Sequence, residues 1–105
     1  MVNRILRALA GEAYYLLEEG VASFADIDKA VELGLNHPMG PFKLADFSGL
    51  DIGYNARLET YEMTKDQKDK PSRALETRVK RGDLGRKTGK GFYDYSTTPP
   101  SPTEG

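Results

Sequence analysis

The chain has 105 residues (11.6 kDa), 38% of them apolar and 30% charged, enough for one core that buries about two thirds of the unfolded surface. Fifteen Lys and Arg against sixteen Asp and Glu give a net charge of −1, which excludes a strong global field for drawing in nucleic acid or an anionic membrane. Cysteine is absent and histidine occurs once, excluding disulfides, thiol catalysis, cysteine-ligated zinc and any multi-histidine metal site.

The longest apolar runs fall well short of the ~20 residues needed to cross a bilayer, and the N-terminal stretch lacks a signal-peptide pattern. A soluble cytoplasmic protein is expected, with neither nucleic acid nor membrane as a partner. From Asn3 to Glu19, the residues Ile5, Leu6, Leu9, Ala10, Ala13, Leu16 and Leu17 recur at three- and four-residue steps. That spacing predicts an amphipathic helix, stopped by Gly20 in the left-handed conformation.

Ser23 is the expected cap of a second helix, with Asp26 adding negative charge to its first turn. Phe24, Ile27, Ala30 and Val31 give that helix a buried stripe, and Gly34 reads as its stop. The segment Asn36-His37-Pro38-Met39-Gly40-Pro41 is a turn, with Pro38 holding His37 extended. Pro41 suits the first position of a third helix, where its missing N–H costs nothing. Phe42, Leu44, Ala45 and Phe47 supply its apolar surface.

Asp51 is the expected N-cap of a fourth helix with Ile52, Tyr54, Leu58 and Tyr61 as its apolar face. Thr64 to Lys70 carries no apolar side chain and should be an exposed loop or frayed helix end. Leu75 and Val79 mark a fifth helix ended by Gly82. The glycine-rich stretch that follows is pinned to the core by Phe92, Tyr93 and Tyr95. Residues 96–105 hold three of the six prolines and no large apolar residue, so a disordered tail is expected. The fold class is all-α, with about five helices.

Several features invite a chemical reading. Gly85-Arg86-Lys87-Thr88-Gly89-Lys90-Gly91 looks like a nucleotide-phosphate loop, but the spacing is one residue short. Gly91 stands where a hydroxyl belongs, and no strand precedes it. Arg78, Lys80, Arg81, Arg86, Lys87 and Lys90 could hold a phosphate, including those of coenzyme A, or form a solvated face. His37 has a side chain suited to proton transfer but no orienting partner in the sequence. Glu12, Glu18 and Glu19 read as helix-surface carboxylates, and the aromatic residues are not interleaved with basic ones as base stacking requires. Composition and periodicity alone leave the function open.

Three segments together resemble the C-terminal domain of the 3-hydroxyacyl-CoA dehydrogenase family. They are Val2-Asn3-Arg4, the stretch Gly34 to Phe42 with Asp46 and Gly49-Leu50-Asp51, and Gly85 to Tyr93. The resemblance covers Val2 to Tyr95, and implies one domain over residues 1–95 with the small helical fold similar to the C-terminal domain of 6-phosphogluconate dehydrogenase. It implies oxidation of a 3-hydroxyacyl-CoA to the 3-oxoacyl-CoA with NAD or NADP, in fatty-acid or butanoate metabolism.

In that family the catalytic His–Glu pair and the cofactor belong to a Rossmann domain. No G-x-G-x-x-G after a strand occurs here, so this chain is expected to bind no cofactor by itself and to be inactive without such a domain or subunit as partner. Asn3 matches the family asparagine that contacts substrate or the catalytic histidine. Met39 and Phe42 are candidates for the acyl pocket wall. The resemblance further implies acyl-CoA as substrate and a homodimer. A non-catalytic helical dimerisation or interaction module is the alternative reading.

Overall fold

Residues 1–103 are described in a computed structural model of the chain, Asn3 and Lys68 by their backbone alone. Five helices follow in order: α1 Val2–Glu18, α2 Phe24–Gly34, α3 Pro41–Ser48, α4 Leu50–Thr64 and α5 Arg73–Arg81. A two-stranded antiparallel ribbon, β1 Tyr93–Asp94 with β2 Ser101–Pro102, completes them. The all-α expectation of about five helices holds.

Most of the boundaries follow from local chemistry. Ser23 Oγ accepts from the Asp26 N–H at 3.2 Å and caps α2, while Ser72 Oγ does the same for α5 through Ala74. Pro41 opens α3, and Gly20 and Gly82 turn the chain out of α1 and α5 with φ of 72° and 84°. Gly34, the expected stop, is the last residue of α2, and the left-handed residue beyond it is Asn36, φ 56°, whose short polar side chain tolerates that region. One expectation needs correction. Asp51 lies in the first turn of α4 rather than at its cap. Gly49 takes the cap position with φ 107°, and Asp51 pairs instead with Lys87 at 2.7 Å.

Phe42, Phe92, Leu50 and Leu75 are at most 1% exposed, and Ala13, Tyr14, Ile27 and Tyr93 join them in the core. Its centre is aromatic: the Phe42 ring meets Phe92 at 4.9 Å and Tyr14 at 5.2 Å, both edge to face, and Phe24 closes the cluster. Such pairs add about 0.5–1.5 kcal/mol each beyond the burial itself. Arg78, 2% exposed, reaches into this cluster with its guanidinium 4.4 Å from the Phe92 ring centroid. Its nitrogens donate to the carbonyls of Gly91 and Ala74 and to Thr103 Oγ1. Burial lowers its pKa, yet a guanidinium stays charged in proteins, so cation–π contact and these bonds hold it.

Residues 96–103 differ from the expected disordered tail. Asp94 Oδ1 accepts from both the backbone and the hydroxyl of Ser96 and turns the chain back. β2 then pairs with β1, and Thr103 donates its N–H to the Phe92 carbonyl at 2.9 Å. Local hydrogen bonding, rather than apolar burial, places this segment. Phe47 and Ile52, expected on buried faces, are 59% and 61% exposed.

A carboxylate from α1 fastens α5. Glu18 Oε1 accepts from the Ser72 hydroxyl and from the N–H groups of Arg73 and Ala74. The Ser72 hydrogen bond is the largest of the effects that lower the Glu18 pKa. Because the folded value lies below the unfolded one, this contribution is present above about pH 4.3 and is lost as pH falls through the folded pKa. Glu18→Gln should therefore show a shallower fall of melting temperature between pH 5 and 3 than the wild type. Parallel acid-side curves would count against the clamp.

Candidate functional site

Two buried carboxylates, neither expected from sequence to be a site residue, organise the region where the resemblance placed its motifs. Asp28 on α2 accepts from the N–H of Phe42 at 2.8 Å, the N–H of Lys43 at 3.1 Å and the Tyr93 hydroxyl at 2.7 Å. It supplies the capping acceptor that Gly40, at the cap position of α3, lacks. Asp46 on α3 repeats the pattern with the N–H groups of Phe92 and Tyr93, at 2.9 and 3.0 Å, and the Tyr95 hydroxyl at 2.6 Å. Tyr93 joins the two clamps, its backbone bound to one carboxylate and its hydroxyl to the other.

Both carboxylates are 1% exposed. Burial pushes their pKa up, against the pull of the three donors each accepts from. Burial also raises the Tyr93 and Tyr95 hydroxyls, so both stay protonated and donate. Every strong acceptor here is committed to holding backbone, which makes this a positioning device and not an acid–base pair.

What it positions is the turn between α2 and α3. Glu32, one turn beyond Asp28, accepts from the Gly40 N–H at 2.9 Å and pairs with Lys43 at 3.0 Å. Gly40 is packed so tightly that a Cβ there would stand 2.4 Å from the Asp28 Cα. The turn is thus gripped from both sides. Met39 and His37 are both half-buried on it. Phe42 is different: at 1% exposure, with three rings around it, its side chain offers no surface to a ligand and serves the core. The Asn3 side chain lies outside the described residues; its backbone is in the first turn of α1.

Four of the six side chains in the basic segment are committed within the chain. Arg78 is internal, Lys80 pairs with Glu76, Arg81 with Asp83 and Lys87 with Asp51. The Gly85–Gly91 loop cannot cradle a phosphate. The N–H groups of Gly85, Thr88, Gly89, Lys90 and Gly91 are already bonded to chain carbonyls, and Gly85 and Gly91 press against Asp46. That loop therefore does not fit the pyrophosphate of a nicotinamide dinucleotide. No group of three or more acidic, His or Cys residues suited to a metal occurs among the described residues, and no described helix is long and apolar enough to cross a membrane.

A helical body that freezes a turn while leaving the start of its first helix uncovered is the shape of an accessory domain. Comparison with known proteins supplies the family. The profile of "3-hydroxyacyl-CoA dehydrogenase, C-terminal domain" matches residues 1–95, and the chain belongs to that family. It is 48% identical over 103 residues to a 3-hydroxybutyryl-CoA dehydrogenase of Bradyrhizobium diazoefficiens, covering 98% of this chain and 35% of that protein. A probable 3-hydroxybutyryl-CoA dehydrogenase of Bacillus subtilis is 46% identical over 93 residues, covering 89% of this chain and 32% of the relative.

Among solved structures, (S)-3-hydroxybutyryl-CoA dehydrogenase from Ralstonia eutropha is 44% identical with a TM-score of 0.81, over 92% of this chain and 34% of that one. The Escherichia coli 3-hydroxybutyryl-CoA dehydrogenase is 35% identical with a TM-score of 0.82, over 92% and 21%. The chain spans about a third of the length of the curated relatives it matches.

Proposed function

We propose that this chain is the substrate-side and dimerisation domain of an NAD(P)-dependent 3-hydroxyacyl-CoA dehydrogenase of cytoplasmic location. The observation that carries this reading is the uncovered start of α1. Val2, Ile5 and Leu6 are 68%, 61% and 38% exposed although they continue the helix's apolar stripe, in the same two turns that hold Asn3. An apolar face left open beside the family's substrate-contact position suits a dinucleotide-binding partner docking there.

In this reading the partner supplies the hydride acceptor and the proton-transfer pair. Asn3 orients the reacting 3-oxygen through its amide, and Met39 lines the acyl side from a turn that Asp28 and Glu32 keep fixed. The test is NADH consumption with acetoacetyl-CoA, first with the chain alone and then mixed with a separately produced dinucleotide-binding half. Activity should appear only in the mixture, and Asn3→Ala should lower kcat about tenfold or more without moving the melting temperature. Full turnover in the Asn3→Ala mixture would remove Asn3 from the site. A stable dimer with no activity in any mixture would favour the non-catalytic module.

A further inference from the structure

Residues 96–102 are exposed, and the strap they form ends on a half-buried side chain, Thr103. Its hydroxyl accepts from Arg78 Nη2 at 3.3 Å and stands 2.8 Å from the carbonyl oxygens of both Gly91 and Phe92, donating to one at a time. Arg78 Nε donates to the same Gly91 carbonyl. The strap thereby supplies one of the oxygens that hold the buried guanidinium against the Phe92 ring.

The backbone that Thr103 grips is also the backbone that Asp46 grips. Phe92 gives its N–H to Asp46 and its carbonyl to the Thr103 N–H, at 2.9 Å each. Tyr93 follows, with its N–H on Asp46 and its hydroxyl 2.7 Å from Asp28 Oδ2. The Lys43 N–H shares that oxygen at 3.1 Å, and the Phe42 N–H takes Oδ1. A displacement of residues 91–93 is therefore passed by the Tyr93 side chain to Asp28 and the start of α3. Gly40, packed on Asp28, leaves no slack there to absorb it.

The strap itself is lightly held. β2 is two exposed residues long, and residues 96–103 bring no large apolar side chain to the core. Segments with so few apolar contacts open at the low end of the range of local unfolding free energies. We propose that Thr103 is a positioning residue for the reaction: when engaged, it fixes residues 91–93 and, through Tyr93 and Asp28, the turn that carries Met39. Its consequence for turnover rests on the acyl-CoA reading above, whereas the mechanical link does not.

The 1H–15N amide spectrum of the full chain tests the link, because native-state resonances report local geometry and not global stability. Thr103→Val, nearly isosteric but without the hydroxyl, should move the Gly40, Phe42 and Lys43 amide resonances as well as those of residues 91–93. Thr103→Ser should return them toward wild type. In a Tyr93→Phe background, Thr103→Val should still move Phe92 but no longer Phe42 or Lys43. Mixed with a dinucleotide-binding half, Thr103→Val should raise KM for acetoacetyl-CoA about threefold while lowering kcat less than about twofold. Shifts confined to residues 91–93, or equally large across α4, would overturn the link. A moved turn with an unchanged KM would overturn the positioning role and leave the acyl-CoA reading standing. Inactivity of every mixture, wild type included, would overturn that reading and the positioning role together, with the spectrum alone deciding the mechanical link.

Discussion

Replacing Asp46 with alanine should cost the fold more than any other single side-chain truncation at the site. The carboxylate accepts from the Phe92 and Tyr93 N–H groups and the Tyr95 hydroxyl, and it is 1% exposed. Water cannot replace it without opening the core. Each orphaned buried donor costs about 1–3 kcal/mol, so a loss of about 3–5 kcal/mol is expected. For a domain of this length that is a fall of about 15 °C in melting temperature.

Asp46→Asn separates the contributions. It keeps the volume and one acceptor oxygen but turns an N–H₂ toward at least one donor, so it should lie between wild type and Asp46→Ala. A Tyr95→Phe variant removes only one donor and should be the mildest of the three. If Asp46→Ala melted within about 3 °C of wild type, a shift worth well under 1 kcal/mol, the bonds to residues 92–95 would not be what fastens this loop.

The helices themselves were legible. Three- and four-residue spacing placed α1 and α2, and Ser23, Pro41, Gly20 and Gly82 marked ends that the structure uses. The clamping roles of Asp28 and Asp46 were not, because their partners are brought to them by tertiary folding. Phe42 lies 14 residues from Asp28, and Tyr93 lies 65 from it.

A signal did exist. Asp28 falls four residues after Phe24 and beside Ile27, and Asp46 falls four after Phe42, so each places a carboxylate on an apolar face where only a satisfied one is tolerated. Phe42 was misplaced for the opposite reason: a motif drew it toward the pocket, whereas its helix position makes it core.

Gly40→Ala should damage the turn through sterics alone, because Gly40 has φ −71°, which alanine adopts without strain. The added methyl would meet the Asp28 Cα and Oδ1, both at 2.4 Å. The Cα is backbone of α2 and cannot rotate away, so α2 and α3 must separate. That separation stretches the bonds from Asp28 to the N–H groups of Phe42 and Lys43 and from Glu32 to that of Gly40. Overpacking coupled to lost buried bonds is expected to cost about 3 kcal/mol.

Gly34→Ala is the internal control. An added methyl there would have no atom within 4 Å, and Gly34 is the last residue of α2, so the substitution should leave stability unchanged or raise it by up to about 1 kcal/mol. Opposite signs in the two melting temperatures would locate the sensitivity in the Asp28–Gly40 contact. Equal effects would mean that any added methyl on α2 or its turn is tolerated alike. In the mixed assay with a dinucleotide-binding half, Gly40→Ala should also raise KM for acetoacetyl-CoA more than it lowers kcat, since the displaced turn carries Met39 and not the reacting groups.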